Sequence, residues 1–388
     1  MQKSLDQPIQ QNQRTLIVDI LRGWALLGVV LMNYFDFFTL GRNWQTFKPD
    51  VFTKILMYST SIIFSAKSWT LLSLLFGYGF AVLMNNVKEK GHNAYSFFAG
   101  RMFWLLVLAF INSALFFGDI LKDYAILGLI LLLFYRSSAK TAFITSLVLL
   151  IFIPAISAYI GSLPNYSQKE FVKLFPLYQS SHLLDVLWFG LKGTYFSEMI
   201  SKPYLYTVHV VMFCCFLWGF SLYKINFFTN LQNNLNYIKR TFWIAFIVSM
   251  VFILLPELTK HLKLNVNKYY NFNFLAVLSS MLFFAATICW LHASGKLKAF
   301  FANLAVMGKM TLTNYMTQNL IGLLVFSGFG LGIWNTRPLW FYLLLALMVY
   351  IVQIYFSKWW LLKYNYGPVE WVWRQLSYRK RLPLKKTI

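Results

Sequence analysis

Apolar stretches long enough to cross a lipid bilayer fill this chain almost from one end to the other. A hydrocarbon core about 30 Å thick needs about 20 apolar residues in each helix. The sequence predicts an all-α, multi-pass bundle of about ten spans. The predicted spans are 17–38, 69–87, 102–117, 120–135, 142–160, 206–223, 242–255, 272–292, 304–333 and 339–362. What remains between them is too short for a soluble domain.

The composition agrees with a membrane protein, because 59% of residues are hydrophobic and only 12% are charged. A net charge of +23 would suit a nucleic-acid-binding protein, but the apolar spans exclude that class. Lys and Arg report the orientation of membrane proteins instead. If the amino terminus is cytoplasmic, the larger share of these residues lies in cytoplasmic loops. An even number of spans then places both termini in the cytoplasm, and we predict a multi-pass protein of the plasma membrane.

Three regions follow from this pattern. Residues 1–16 form a polar cytoplasmic leader, 17–362 form the bundle, and 363–388 form an interfacial helix and a basic tail that faces anionic lipid. Within the bundle, the aromatic-rich stretch 163–202 is predicted to lie outside the cell, as surface helices or a cap over a cavity. The short apolar stretch 51–65 is predicted to be re-entrant or interfacial.

Ionisable groups inside membrane spans are costly and usually functional. The first span carries Asp19, Arg22, Asn33 and Asp36, whose spacing places all four on roughly one face of a helix. Arg22 and Asn33 are about 16 Å apart along the axis, so one stripe can contact ligands from both sides of the membrane. Two simpler interpretations stay open: Asp19 and Arg22 pair at the interface, and Asn33 binds a neighbouring helix.

The next candidates lie at the ends of spans two to four. Lys67 opens the second span, and Gly77 belongs to a pattern of small residues that predicts either a site or close helix packing. Asp119 and Asp123 lie in the turn before the fourth span. They are candidate general bases, or else caps of the following helix.

The ninth span is too polar for contact with lipid, so it should line a cavity or bind a neighbouring helix. Its candidate binding residues are Thr313, Asn314, Tyr315 and Gln318. After the tenth span, Pro368 is suited to the first turn of a short helix that carries Glu370 and Arg374 four residues apart.

The remaining reactive side chains predict no further chemistry. The three cysteines lie within apolar spans, where packing is the simplest role. His209 and His292 also suit packing, and no metal-ligand spacing occurs. The sequence therefore predicts no metal site and no bound cofactor.

Several motifs in the same order resemble the YeiB-type proteins, the domain-of-unknown-function 418 group. The matching motifs are DILRGWALLG at 19–28 with Asn33, Lys67, LLFGYG at 74–79, GDIL at 118–121, Tyr124-Ala125, LTNY at 312–315 with Gln318, and YGPVEW at 366–371 with Arg374. They span nearly the whole chain.

That group is similar to the transmembrane acyltransferases, which include acyltransferase family 3 and the lysosomal heparan-α-glucosaminide N-acetyltransferase. The resemblance implies transfer of an acyl group from cytoplasmic acyl-CoA to an acceptor, commonly a sugar, across the membrane. In acyltransferase family 3 a histidine follows the arginine of the first span by 11 residues; here the pair is Arg22 and Asn33. The region before the GDIL motif, Asn112-Ser113, also lacks the histidine of YeiB-type relatives. Either the base lies elsewhere, with Asp36, Asp119 and Asp123 as candidates, or this member does not acylate.

We therefore expect an integral membrane acyltransferase, with a small-molecule transporter or exporter as the alternative. Arg22 or Lys67 would bind phosphate groups of acyl-CoA, the co-substrate. Asp119 would orient or deprotonate the acceptor, and Asn33 and Gln318 would bind the transferred carbonyl. The expected partners are membrane lipids and a small-molecule or sugar acceptor, with no nucleic acid, and the sequence allows a homo-oligomer.

Overall fold

The computed structural model describes residues 15–43, 45–264 and 266–386, and within these ranges the chain is helical with no β-strand. The helices are α1 Leu16–Thr39, α2 Val51–Ile63, α3 Lys67–Glu89, α4 Ala94–Leu115, α5 Leu121–Leu131, α6 Ala139–Gly161, α7 Tyr166–Val172, α8 Phe175–Gln179, α9 Leu183–Thr194, α10 His209–Lys224, α11 Leu235–His261, α12 Asn273–Ala293, α13 Lys298–Lys309, α14 Thr311–Phe326, α15 Leu339–Lys363 and α16 Pro368–Tyr378. Two π-helical turns, Tyr195–Met199 and Tyr204–Val208, lie between α9 and α10. The predicted all-α bundle is confirmed.

Eight helical segments of the described chain are long and apolar enough to cross a membrane. Two predicted spans differ from the structure. The stretch 120–135 contains α5, which has only 11 residues. The stretch 304–333 is divided at Met310, whose backbone leaves helical geometry at φ −119° and ψ 37°. The polar run then begins a new helix, α14, of 16 residues.

Close backbone contacts hold the centre of the bundle together. A Cβ atom on Gly308 would lie 1.9 Å from the carbonyl oxygen of Asp19, so α13 lies directly against α1. A Cβ on Gly77 would lie 2.0 Å from the carbonyl oxygen of Phe216, which joins α3 and α10 in the same way. Small residues allow such contacts between membrane helices, and close packing is therefore the role that the structure gives Gly77.

The stretch 163–202 forms α7, α8, α9 and the first π-helical turn. Its aromatic side chains pack on the bundle: the rings of Tyr178 and Phe37 stack with centroids 6.0 Å apart, and Phe189 contacts Phe117. The predicted surface helices therefore exist, while their placement outside the cell stays a prediction.

The carboxy-terminal region folds back on the bundle. Pro368 opens α16, as its position predicts. The indole nitrogen of Trp371 donates to the carbonyl oxygen of Leu382 at 2.8 Å, which ties the tail to α16. Almost all of the predicted leader, 1–16, lies outside the described residues. The three cysteines are free thiols and buried.

Candidate functional site

A cavity of about 590 Å³ lies between α1, α3, α4, α14 and α16. Its lining on α3 runs from Leu72 to Glu89, which is about 26 Å of helix axis. One end, here called the mouth, carries four cations and lies near the loop between α3 and α4. The other end lies against the first turn of α5, at Leu121 and Tyr124. The cations of the mouth are Arg22, Arg101, Lys309 and Arg374.

The cations of the mouth are held in place by neighbouring rings and acids. Nη1 of Arg22 lies 3.2 Å from Oδ1 of Asp19, which is almost fully buried. The guanidinium of Arg101 lies 3.7 Å from the ring centre of Trp373 on α16. The guanidinium of Arg374 lies 4.8 Å from the ring centre of Tyr366. Planar guanidinium groups fixed in this way can bind phosphate oxygens in pairs.

Glu370 also lines the cavity, but its carboxylate is occupied as the N-terminal cap of α14. Its Oε1 accepts from the backbone nitrogens of Leu312 at 2.7 Å and Thr313 at 3.1 Å, and its Oε2 accepts from the Thr313 hydroxyl at 2.5 Å. A carboxylate at a helix N-terminus satisfies unpaired N–H groups and opposes the helix dipole. Glu370 and Thr313 thus join α16 to α14.

Beyond the cavity, a line of amide side chains crosses the bundle from α1 to the turn before α5. Nδ2 of Asn33 donates to Oδ1 of Asn319 at 3.1 Å, and Nδ2 of Asn319 donates to Oδ1 of Asn112 at 3.2 Å. Nδ2 of Asn112 then donates to Oδ1 of Asp119 at 2.7 Å. Every amide therefore donates towards the carboxylate, and such an aligned chain strengthens its own hydrogen bonds.

Tyr315 connects this amide chain to the cavity. It lines the cavity wall, and its hydroxyl donates to Oδ1 of Asp119 at 3.3 Å. Asp119 is fully buried and also accepts from the backbone nitrogen of Leu121 at 3.2 Å. The structure thus brings four predicted residues into one continuous arrangement, with Arg22 at the mouth, Tyr315 in the wall, and Asp119 and Asn33 beyond it.

A second group of charges, here called the Lys122 cluster, lies behind Asp119. It consists of Lys122, Asp123, Glu198, Tyr204 and His209. Nζ of Lys122 donates to the backbone oxygen of Asp119 at 2.9 Å, to both carboxylate oxygens of Asp123 at 3.0 Å, and to Glu198. Asp123 also accepts from the hydroxyl of Tyr204 at 2.8 Å and lies 2.9 Å from Nε2 of His209.

The two π-helical turns explain how the Lys122 cluster forms. One contains Glu198, and the other begins at Tyr204 and ends just before His209. A π turn places residues five apart on one side, so Tyr204 and His209 both reach Asp123. The sequence predicted a packing role for His209 and gave no signal for Lys122, because a local π turn leaves no recognisable hydrophobic pattern.

The other predicted residues lie away from this arrangement. Nζ of Lys67 donates to the backbone oxygen of Ser61 at 2.8 Å, which closes the end of α2. Asn314 donates to Ser357 at 3.1 Å and Gln318 to Gln353 at 2.8 Å, so both join α14 to α15. Asp36 is half-buried on α1, one turn beyond Asn33. Within the described ranges, no three His, Cys, Asp or Glu side chains are placed to hold a metal ion.

Comparison with known proteins finds similarity to one family and to several uncharacterized proteins. Residues 222–380 match the family described as "Protein of unknown function (DUF418)". The chain is 26% identical to the uncharacterized protein YxaH of Bacillus subtilis (strain 168), with 98% of each chain covered. It is also 26% identical to the uncharacterized protein YeiB of Escherichia coli (strain K12), over 96% of this chain and 98% of YeiB. No solved structure matches. The family match and the two nearly full-length similarities together support assignment of this chain to the YeiB-type proteins of the DUF418 family.

Proposed function

We propose that the protein is a membrane acyltransferase that moves an acyl group from cytoplasmic acyl-CoA to a small-molecule or sugar acceptor on the other side. One observation carries the proposal: a single cavity joins a mouth with four cations to the wall residue that contacts the buried Asp119 carboxylate. The phosphates of acyl-CoA need cations, and its reacting carbonyl needs a base and a hydrogen-bond donor. Because acyl-CoA is long, these groups must lie at opposite ends of one cavity.

The donor would bind with its phosphates at the mouth. Arg22, Arg101 and Arg374 supply planar donors for phosphate oxygens, and Lys309 adds a further positive charge. The wall between the two ends is largely apolar and suits the arm that carries the thioester. The volume falls within the range of small-molecule sites, about 300–1,000 Å³.

The transfer step would take place beside Asp119. The acceptor's hydroxyl or amine attacks the thioester carbonyl carbon while the Asp119 carboxylate takes its proton. The Tyr315 hydroxyl donates a hydrogen bond to the carbonyl oxygen as negative charge develops there. The carbon–sulfur bond then breaks, and the leaving thiolate takes the proton from Asp119. Asn33 lies at the far end of the amide chain. Through Asn319 it would hold the side chains of Asn112 and Asp119 in position.

Binding of acyl-CoA is the direct test. Purified full-length protein is titrated with acetyl-CoA by calorimetry, beside Arg22→Gln and an Arg136→Gln control, an exposed arginine outside the cavity. We expect saturable binding that Arg22→Gln weakens by about tenfold, the cost of a charge-assisted contact, and that Arg136→Gln leaves unchanged. Wild-type protein that binds no acyl-CoA contradicts the proposal.

The proposal also requires the mouth to face the cytoplasm. Ser162 and Ser294 are exposed at the ends of α6 and α12, on opposite sides of the predicted topology. Single cysteines at these positions are probed on intact cells with an impermeant maleimide. We expect labelling at position 162 only; labelling at 294 alone reverses the orientation and rejects a cytoplasmic donor.

Transport of a small molecule is the second candidate, and the Lys122 cluster favours it. Buried acids beside a lysine and a histidine are common in the proton pathways of membrane transporters. Uptake into reconstituted vesicles without consumption of acyl-CoA would favour transport over transfer. Asp123→Asn would then abolish any dependence of uptake on a proton gradient.

A further inference from the structure

The end of α15 marks where the chain leaves the apolar layer. This helix is mostly apolar and ends with Trp359, Trp360 and Lys363. Nζ of Lys363 lies 5.0 Å from the ring centre of Trp359. Tryptophan and lysine collect at the boundary between hydrocarbon and headgroups. Residues from Tyr364 onwards therefore begin at the depth of the lipid headgroups.

The tail that follows α16 is tied back to this same depth. The backbone nitrogen of Lys386 donates to the oxygen of Lys363 at 3.0 Å, and that of Asn365 donates to the oxygen of Leu384 at 2.9 Å. The Trp371 indole holds Leu382 from the other side. These bonds keep the tail beside the end of α15, so its side chains stay near the headgroups.

The charge of this surface is of one sign. Residues 371–386 contain no Asp or Glu. The side chains of Arg379, Lys380, Arg381 and Lys385 are exposed. Clusters of basic residues next to a membrane helix bind anionic lipid headgroups. An anionic phospholipid has the opposite charge to this basic surface, and its headgroup lies at the same depth.

The same helix is part of the mouth of the cavity. The indole nitrogen of Trp373 donates to the backbone oxygen of Arg101 at 3.1 Å, and Tyr378 packs on Phe97 with ring centres 4.9 Å apart. Together with the cap that Glu370 forms on α14, these contacts make α16 one wall of the mouth. The tail that follows α16 carries the basic surface.

We propose that the tail 379–386 binds anionic phospholipid headgroups, and that bound lipid holds α16 against the cavity as the wall of its mouth. The fraction of molecules in which α16 closes this side of the mouth then rises with the content of anionic lipid. This coupling concerns the protein's own conformation, and it holds whichever ligand the cavity takes.

Hydrogen–deuterium exchange of the full-length protein in nanodiscs tests the coupling. Exchange of 368–378 is compared in phosphatidylcholine and in phosphatidylcholine with phosphatidylglycerol. The test variant carries Arg379→Gln, Arg381→Gln and Lys385→Gln. The matched control carries Lys54→Gln, Lys260→Gln and Lys263→Gln, three exposed lysines elsewhere.

We expect phosphatidylglycerol to slow exchange of α16 by more than about tenfold, since each headgroup contact with a cation is favourable. The control keeps this slowing, and the test variant loses it. Equal exchange in both lipids, or slowing that persists in the test variant, overturns the proposal. Equal slowing by inorganic phosphate in neutral nanodiscs would instead assign the surface to free phosphate. Acetyl-CoA binding in neutral nanodiscs tests the proposed function separately.

Discussion

The mouth of the cavity and the Lys122 cluster are both rich in charge, but they are built in different ways. At the mouth, the Arg22 side chain is 29% exposed and the cations lie around open space. In the cluster, the Lys122 side chain is 9% exposed, and its ammonium contacts two carboxylates and a backbone oxygen. The mouth leaves space beside its charges, and the cluster keeps its charges buried and paired.

Solvation explains the difference. A charge beside water loses little free energy of hydration, so its partners can be few and a ligand can replace them. A charge buried in a membrane protein loses most of its hydration and must be paired and hydrogen-bonded to be stable. Mutations in the cluster should therefore act mainly on stability and geometry, and mutations at the mouth mainly on binding.

The largest expected effect is at Asp119, which lies between the two regions. Asp119→Asn keeps the shape but cannot take a proton, so turnover should fall by about a hundredfold to ten-thousandfold. Affinity for acetyl-CoA should stay near the wild-type value. Transfer and binding assays on the purified protein measure both, with Glu170→Gln, an acid remote from the cavity, as the control. Full turnover by Asp119→Asn would remove this carboxylate from the chemistry.

Lys122→Met tests whether the cluster is a structural unit. It leaves Asp123 and Glu198 buried without their shared cation, which should cost about 3–5 kcal/mol of unfolding free energy. The double variant with Glu198→Leu should recover part of this loss. Unfolding in detergent, followed by circular dichroism, compares the three proteins. A single variant as stable as wild type would show that the lysine is dispensable.

Asn33 tests the amide chain that ends on Asp119. Asn33→Ala should lower turnover by up to about a hundredfold, because the amide chain then no longer fixes the position of Asp119. Asn33→His should retain or raise turnover. If Asn33 only joins helices, its loss should instead cost about 0.6–2 kcal/mol of stability and leave turnover intact. Paired measurements of acyl-CoA consumption and substrate uptake in vesicles separate transfer from transport.

Arg22→Lys has the smallest expected effect and sharpens the interpretation of the mouth. Lysine keeps the charge but lacks the planar pair of donors. Affinity for acetyl-CoA should fall by about threefold, less than for Arg22→Gln, because the charge stays and only the second, paired donor is lost. Calorimetry measures this, and the amount of protein inserted in the membrane should not change. Unchanged affinity would mean that Arg22 serves only to anchor α1 at the interface.

Part of this site can be predicted from local sequence. The spacing of Asp19, Arg22 and Asn33 predicts one face of one helix, and α1 places the first two at the cavity and Asn33 in the amide chain. Tyr315 belongs to a run too polar for lipid, which predicts a cavity lining or contact with a neighbouring helix; the structure places Tyr315 in the cavity wall. Gln318 belongs to the same run but points to α15, because nothing in the run says which neighbour each side chain will meet.

The sequence by itself determined the class of this protein and the ends of long apolar helices such as α1, α12 and α15, because apolar length and a proline at a first turn act through nearby residues. It also determined which side chains are too polar to face lipid. Only the tertiary structure decided which of them meet. Glu370 caps a helix 57 and 58 residues earlier in the chain, and Glu198 reaches Lys122 across 76 residues. Such contacts depend on how helices pack and on two local π turns, and the pairing energy of buried charges appears only once the bundle has brought them together.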